Sequence, residues 1–204
     1  VTVSQLLECV DACDLKRQAA TGKDRTLDDR VLFGLLLALG DYSRDTVPEL
    51  KQESLKTRLA KWYETDPSST VHGATGWLLR QWGYADEVST VDRTPIPYDP
   101  SGKRNWFTLE IKVADQPLYF TFIVFPAGEY QLGSPPDESK RQNDETVHAI
   151  KLSRPLAICD RELTWAQFDL SDDGEWHKGM DEQWARKSVG NDPTFGRNWF
   201  DSVI

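Results

Sequence analysis

The chain of 204 residues carries 33 acidic against 24 basic side chains, a net charge of −9, and is 39% hydrophobic and 11% aromatic. Such a composition is ordinary for a globular chain and excludes wholesale disorder. The acidic balance, with no basic tract to offset it, argues against tight sequence-independent nucleic-acid binding, which depends on Lys and Arg displacing counterions.

No apolar run approaches the roughly 20 residues a membrane-crossing helix needs, so no membrane partner is expected. Val1-Thr2-Val3-Ser4-Gln5 lacks the charged and apolar regions of a signal peptide, although the missing initial Met leaves a removed leader or upstream domain open. Three cysteines, an odd and low number, suit a reducing cytoplasm better than a disulfide-stapled secreted scaffold.

Residues 1–85 read as a helical module. Val3, Leu6, Leu7, Val10 and Leu15 fall on one broad face of a first helix, and Gly22 ends the connection after it. Thr26 followed by Asp28 and Asp29 offers an N-cap and first-turn acids for a second helix. Its run from Val31 to Leu39 is apolar nearly all round and predicts a buried central helix, stopped by Gly40. Thr46 and Glu49 have capping-box spacing for a third helix, which then carries Leu55, Leu59 and Trp62. A fourth, from about Thr70, carries Ala74, Leu78 and Trp82 and stops at Gly83.

Residues 86–104 shift to Thr, Pro, Asp, Ser and Gly, including Pro95, Pro97 and Pro100, and read as a connector. The period then changes. Trp106 to Val113 and Leu118 to Phe125 are rich in β-branched and aromatic residues and predict an antiparallel pair. A third strand is expected over Gly128 to Leu132, a charged surface loop from Gly133 to Glu145, and short strands at Val147 to Leu152 and Pro155 to Ile158. Thr164-Trp165-Ala166-Gln167 has capping-box spacing again and starts a helix. A further helix is expected around Asp181 to Lys187. The whole predicts an α+β fold, helices first and short antiparallel strands after.

Gly128-Glu129-Tyr130-Gln131-Leu132-Gly133-Ser134-Pro135, then Glu145 and His148, then Leu156-Ala157-Ile158 and Glu162-Leu163-Thr164 resemble, in that order, the opening of the formylglycine-generating enzyme (sulfatase-modifying factor) family domain. Asn198-Trp199-Phe200-Asp201-Ser202 resembles that family's Trp-x-Asp/Glu-Ala start of a core helix. The resemblance covers residues 105–204 and implies a partial C-type-lectin-like scaffold. His72-Gly73-Ala74 and Trp77 to Gly83 resemble the loosely HEAT-like helical segment that precedes such domains in some bacterial multidomain proteins. Leu132, Thr146, Leu163 and Ser202 replace the family's Met, Pro, Val and Ala.

In the family, the paired copper-binding cysteines, most calcium ligands and the Arg-Gly-Gly-rich segment come from the second half of the domain, which this chain does not contain. Copper and calcium are therefore implied for that absent half, and for these residues the sequence assigns no catalytic, cofactor-binding or metal-binding residue. Cys9 and Cys13 share a helical face, as a soft metal would require, but with no further ligand nearby they read as packing residues, and so does Cys159. His72 reads as structural or exposed, and His148 as bonding across the acidic loop. Three scattered histidines cannot supply the His-x3-His-x-Glu iron site of the ergothioneine-type relatives. Asp169-x-Ser171-x-Asp173-Gly174 imitates an EF-hand opening, yet Met180 stands where the bidentate Glu belongs, leaving a solvated acidic loop. Ser139-Lys140-Arg141 reads as mixed-charge surface.

Two functions follow. One is a non-catalytic binding or regulatory module, meeting a protein partner or a second copy through the apolar end at Trp199, Phe200, Val203 and Ile204. The other is the N-terminal part of a sulfatase-modifying-type oxidase, converting a substrate cysteine to formylglycine, whose catalytic half lies outside this chain. The first is favoured for these residues.

Overall fold

The computed structural model describes residues 1–113, 115–164 and 167. Five helices come first: α1 (Val3–Ala19), α2 (Gly22–Gly40), α3 (Glu49–Thr65), α4 (Ser69–Gln81) and α5 (Ala85–Asp92). Five strands follow among the described residues: β1 (Trp106–Val113), β2 (Gln116–Phe125), β3 (Gly128–Leu132), β4 (His148–Leu152) and β5 (Leu156–Cys159). The protein is thus mixed α+β, with small antiparallel sheets after the helices. The connector expected over 86–104 is shorter than its composition suggests, because α5 occupies its first part.

Helix α1 opens on a reciprocal cap. The Gln5 N–H donates to Thr2 Oγ1 at 3.3 Å and the Thr2 N–H to Gln5 Oε1 at 2.9 Å, satisfying donors the first turn leaves orphaned. Its buried side is Val3, Leu6, Leu7, Val10, Cys13 and Arg17, spaced by three and four; Leu15, expected there, falls out of phase and is 69% exposed. Helix α2 buries only the stripe Leu32, Leu36 and Leu39, while Val31 and Phe33 are exposed. The expected all-round burial fails because α2 packs on α1 and α4, which cover one side of it. It also begins before Thr26, whose hydroxyl donates to the Gly22 carbonyl at 3.2 Å instead of capping.

The capping box expected at Thr46 and Glu49 does not form. Thr46 closes a 3₁₀ turn over Arg44–Thr46, its hydroxyl donating to the Ser43 carbonyl at 2.6 Å, and Pro48 takes the N-cap position of α3. The inner face of α3 is Leu55, Leu59 and Tyr63 rather than Trp62, which lies half-buried under the Arg58 guanidinium. Helix α4 buries Val71, Ala74, Leu78 and Leu79, and its C-cap residue Trp82 is buried too, donating its indole N–H to the Tyr42 carbonyl at 3.0 Å.

Strands β1 and β2 pair antiparallel, Trp106 opposite Ile123 through Val113 opposite Gln116, and β5 adds on the far edge of β2. β3 and β4 form a separate two-stranded sheet, Gly128 opposite Leu152. The proline-containing connector bridges to β1 where Ile96 pairs with Thr108. Within it Asp99 accepts backbone N–H bonds from Ser101 at 2.9 Å and Arg104 at 3.1 Å. Bonding to Ser101, its side chain foremost, brings the Asp99 carboxyl down to about 2. The charged loop after β3 is closed by the Ser134 N–H donating to the Glu145 carbonyl at 2.9 Å.

Candidate functional site

The helices and the first sheet meet through a stack of three rings. Trp106, the first residue of β1, is 1% exposed. Its ring lies 3.8 Å from that of His72 on α4, and His72 lies 4.2 Å from Tyr63 on α3, nearly parallel at 10°. Gly76, one turn after His72, makes room for the Tyr63 ring, which any Cβ there would overlap. His72 Nδ1 stands 2.7 Å from the Tyr63 carbonyl. A carbonyl only accepts, so Nδ1 carries the proton, and Nε2 is left without a partner among the described residues. Burial pushes the imidazole below its ordinary value, although the bond to Tyr63 opposes that.

Beside the stack lies an ionic joint. The Tyr63 hydroxyl donates to Asp92 Oδ1 at 2.5 Å, at the end of α5. Arg161, just beyond β5, donates from Nη1 to Asp92 Oδ2 at 2.7 Å, and from Nε and Nη2 to both oxygens of Asp160 at 2.9 Å. Arg80 on α4 adds a bond to Asp92 Oδ2 at 3.2 Å. Burial, then the Asp92 charge, raises the Tyr63 hydroxyl to about 12. Burial would raise Asp92 as well, but the hydrogen bonds and charge of Arg161 outweigh it and hold the carboxyl low. A cleft of about 390 Å³ opens between these groups, lined by Tyr63, Ser69, His72, Arg80, Ile123 and Arg161.

Asp66, in the turn between α3 and α4, ties this junction to the helical core. Its main-chain carbonyl accepts the Trp106 indole N–H at 2.7 Å. Its carboxylate accepts from Arg17 Nη2, also at 2.7 Å. Arg17, 1% exposed, further donates to Asp29 at 2.7 Å and Asp14 at 3.3 Å, so one buried guanidinium joins α1, α2 and the α3–α4 turn. Burial alone would lower the pKa of Arg17; the bond and charge of Asp66 raise it instead.

His72 therefore takes a structural place, 2% exposed. His148 does not bond across the acidic loop: it is exposed, and its Nδ1 takes a local partner instead, the Thr146 carbonyl two residues back, at 2.8 Å. Arg141 of the loop donates Nε to the Ser134 carbonyl at 2.9 Å. Cys9 is exposed, whereas Cys13 is buried and donates to the Asp28 carbonyl at 3.5 Å. Burial raises the thiol pKa of Cys13 and of Cys159. One cysteine faces solvent and the other bonds inward, so Cys9 and Cys13 do not fit a two-thiolate copper site. Among the described residues no group of three or more His, Cys, Asp or Glu is gathered as a metal would need. The EF-hand-like stretch from Asp169, the helix around Asp181 to Lys187 and the end at Trp199 to Ile204 lie outside the described residues.

Sequence reasoning missed Tyr63, Asp66, Asp92, Trp106 and Arg161 as members of one site. Their bonds join residues 29 to 98 positions apart, a separation that no local spacing signals. No family model, curated protein or solved structure matches the chain.

Proposed function

We propose that this chain is a non-catalytic binding or regulatory module, built from a loosely HEAT-like helical segment joined to a truncated formylglycine-generating-enzyme-like, C-type-lectin-like scaffold. The observation that carries the reading is the junction itself. Tyr63, His72, Asp92, Trp106 and Arg161 stack on and bond to one another, coupling α3, α4 and α5 to β1 and the end of β5. A joint of this kind ties the helices to the sheet, which supports the reading of one module. Its partner is a protein or a second copy, met through the apolar C-terminal end, and neither nucleic acid nor membrane. Among the described residues no helix is long and apolar enough to cross a membrane. The free cysteines support a cytoplasmic setting.

The scaffold reading rests on the order of its parts: β3 ending at Leu132 just before Gly133, a loop closed at Glu145, then β4, β5 and Glu162-Leu163-Thr164 with Gln167 in a reciprocal cap. The same order supports a second reading, the N-terminal part of a formylglycine-forming oxidase in a longer protein, with its copper cysteines and calcium ligands elsewhere. Incubating this chain with a sulfatase-motif cysteine peptide and Cu(I) separates the two. No aldehyde is expected, and turnover by these residues alone overturns the module reading. Light scattering with hydrogen exchange tests the association. A monodisperse monomer whose C-terminal end exchanges freely would count against it.

A further inference from the structure

His72 holds the junction with the two faces of its ring and with Nδ1, which leaves one edge of the imidazole unused. Tyr63 covers one face at 4.2 Å and Trp106 the other at 3.8 Å, and Nδ1 is bonded to the Tyr63 carbonyl. The remaining edge carries Nε2, which has no partner among the described residues although the whole residue is only 2% exposed. A buried polar atom left unpaired is costly, so one that borders a cleft marks the place of a ligand group.

The cleft of about 390 Å³ beside His72 lies in the size range of small-molecule sites. Ser69, His72, Gly73 and Arg80 line it, falling at helical intervals on one side of α4. Ile123 of β2 completes the lining together with Asp160 and Arg161, two of the charges that reach the imidazole. Gly73 leaves room there, since a Cβ built on it meets no atom within 4 Å.

The walls select a chemistry. Burial keeps the ring neutral near pH 7.5, and with its proton on Nδ1 the Nε2 atom only accepts, so the group that meets it is a donor such as a hydroxyl. Arg80 supplies the complement. Its side chain is 43% exposed, gives one N–H to Asp92 at 3.2 Å, and sets its guanidinium 6.0 Å from the same Tyr63 ring on which His72 stacks. The other N–H groups of such a fork suit a carboxylate, which they hold in two parallel bonds. Asp92 and Asp160 already offset the charges of Arg80 and Arg161, which favours a singly charged carboxylate over a phosphate.

We propose that this cleft binds a small hydroxy-carboxylate, its hydroxyl donating to His72 Nε2 and its carboxylate accepting from Arg80. Such binding requires no association through the C-terminal end, so the two are tested apart. The full 204-residue chain, labelled at the nitrogens of its three histidines, is titrated with glycerate and with gluconate at pH 7.5 while the ring nitrogens are followed by long-range proton–nitrogen NMR. The signals of His72 are those lost in His72→Phe. Nε2 is expected at the position of an unprotonated nitrogen and should move upfield to saturation with at least one of the two acids, Nδ1 staying protonated. Propanoate and hexanoate, which lack the hydroxyls, and glycerol and sorbitol, which lack the carboxylate, should each bind at least about tenfold more weakly than the matched hydroxy acid. Gly73→Leu replaces a poor helix former with a good one and fills the cleft, so it should abolish the shift in a chain that circular dichroism shows to be folded. Arg80→Gln should weaken binding at least about tenfold. An Nε2 signal that neither acid moves would overturn the proposal, as would equal binding of the polyols or undiminished binding in both variants. A ring that gains a proton on binding would overturn the hydroxyl contact.

Discussion

The indole N–H of Trp106 donates to the main-chain carbonyl of Asp66 at 2.7 Å, and the Asp66 carboxylate in turn accepts from the buried Arg17. One residue in the α3–α4 turn thus carries both the sheet's anchor and the core's charge. Replacing Trp106 by Phe keeps a ring on His72 but strands the carbonyl, a loss of roughly 1–3 kcal/mol. Trp106→Ala also removes the ring and is expected to cost roughly 3–5 kcal/mol. Urea unfolding followed by circular dichroism checks both. Equal midpoints for the two variants would mean that the stack with His72 contributes nothing.

His72 gives the junction a pH dependence whose sign is determined by its surroundings. Its ring meets Tyr63 and Trp106, and the charges facing it are Asp92, Asp160 and Arg161. Burial, the largest influence, puts the folded pKa below the unfolded value, so the unfolded chain takes up the proton first. Stability then falls as pH drops through about 6.5 and goes on falling until the folded pKa is passed. His72→Phe removes the titration. The urea midpoint of the wild type should drop between pH 7.5 and pH 5, and that of the variant should stay nearly level across the same range.

Asp92 behaves in the opposite range. Its folded carboxyl is held low against burial by Arg161, so its contribution is present above the unfolded value near 3.9 and is lost as pH falls through the folded one. Asp92→Asn deprives Tyr63, Arg161 and Arg80 of a charged acceptor at once. Hydrogen bonds to charged groups contribute about 1.5–3 kcal/mol, and because the Arg161 side chain is 40% exposed the lower end applies. The Tyr63 hydroxyl, at about 12 in the wild type, should ionise at lower pH in the variant, read by absorbance near 295 nm. An unchanged titration would show that the Asp92 charge does not reach it.

The parts of this fold that could be read from sequence are those whose signal is local. Val3, Leu6, Leu7 and Val10 mark α1, and runs rich in β-branched and aromatic residues mark β1 and β2 within two residues of their observed ends. The capping spacing at Thr164 and Gln167 forms its reciprocal bonds, at 2.9 Å and 3.3 Å. What sequence misplaced depended on neighbours. Val31 and Phe33 are as apolar as Leu32, and only the position of α1 and α4 decides which of them is covered. Thr46 had a competing local use for its hydroxyl in the 3₁₀ turn, and took it. The junction was the least legible part: nothing in a Tyr, an Asp and an Arg at positions 63, 92 and 161 announces that tertiary packing will bring them together.

The two glycines that bracket β3 are predicted to differ sharply, although the resemblance treats both as signature positions. Gly133 sits at φ +106°, where a side chain is strained, and a Cβ there would stand 2.5 Å from the Thr146 carbonyl oxygen. That oxygen belongs to backbone held by the Ser134–Glu145 closure, so it cannot swing aside as a side chain would. Gly133→Ala is therefore expected to cost roughly 1–3 kcal/mol locally and to speed exchange of the Ser134 amide at least tenfold. Gly128 has no such backbone conformation, and an added Cβ meets only a Tyr130 ring carbon at 3.8 Å, an ordinary contact. Gly128→Ala should stay within about 0.5 kcal/mol of the wild type. Comparing Ser134 exchange in the two variants by hydrogen–deuterium mass spectrometry decides the matter. Equal protection would mean that the close approach to Thr146 is not what requires glycine at position 133.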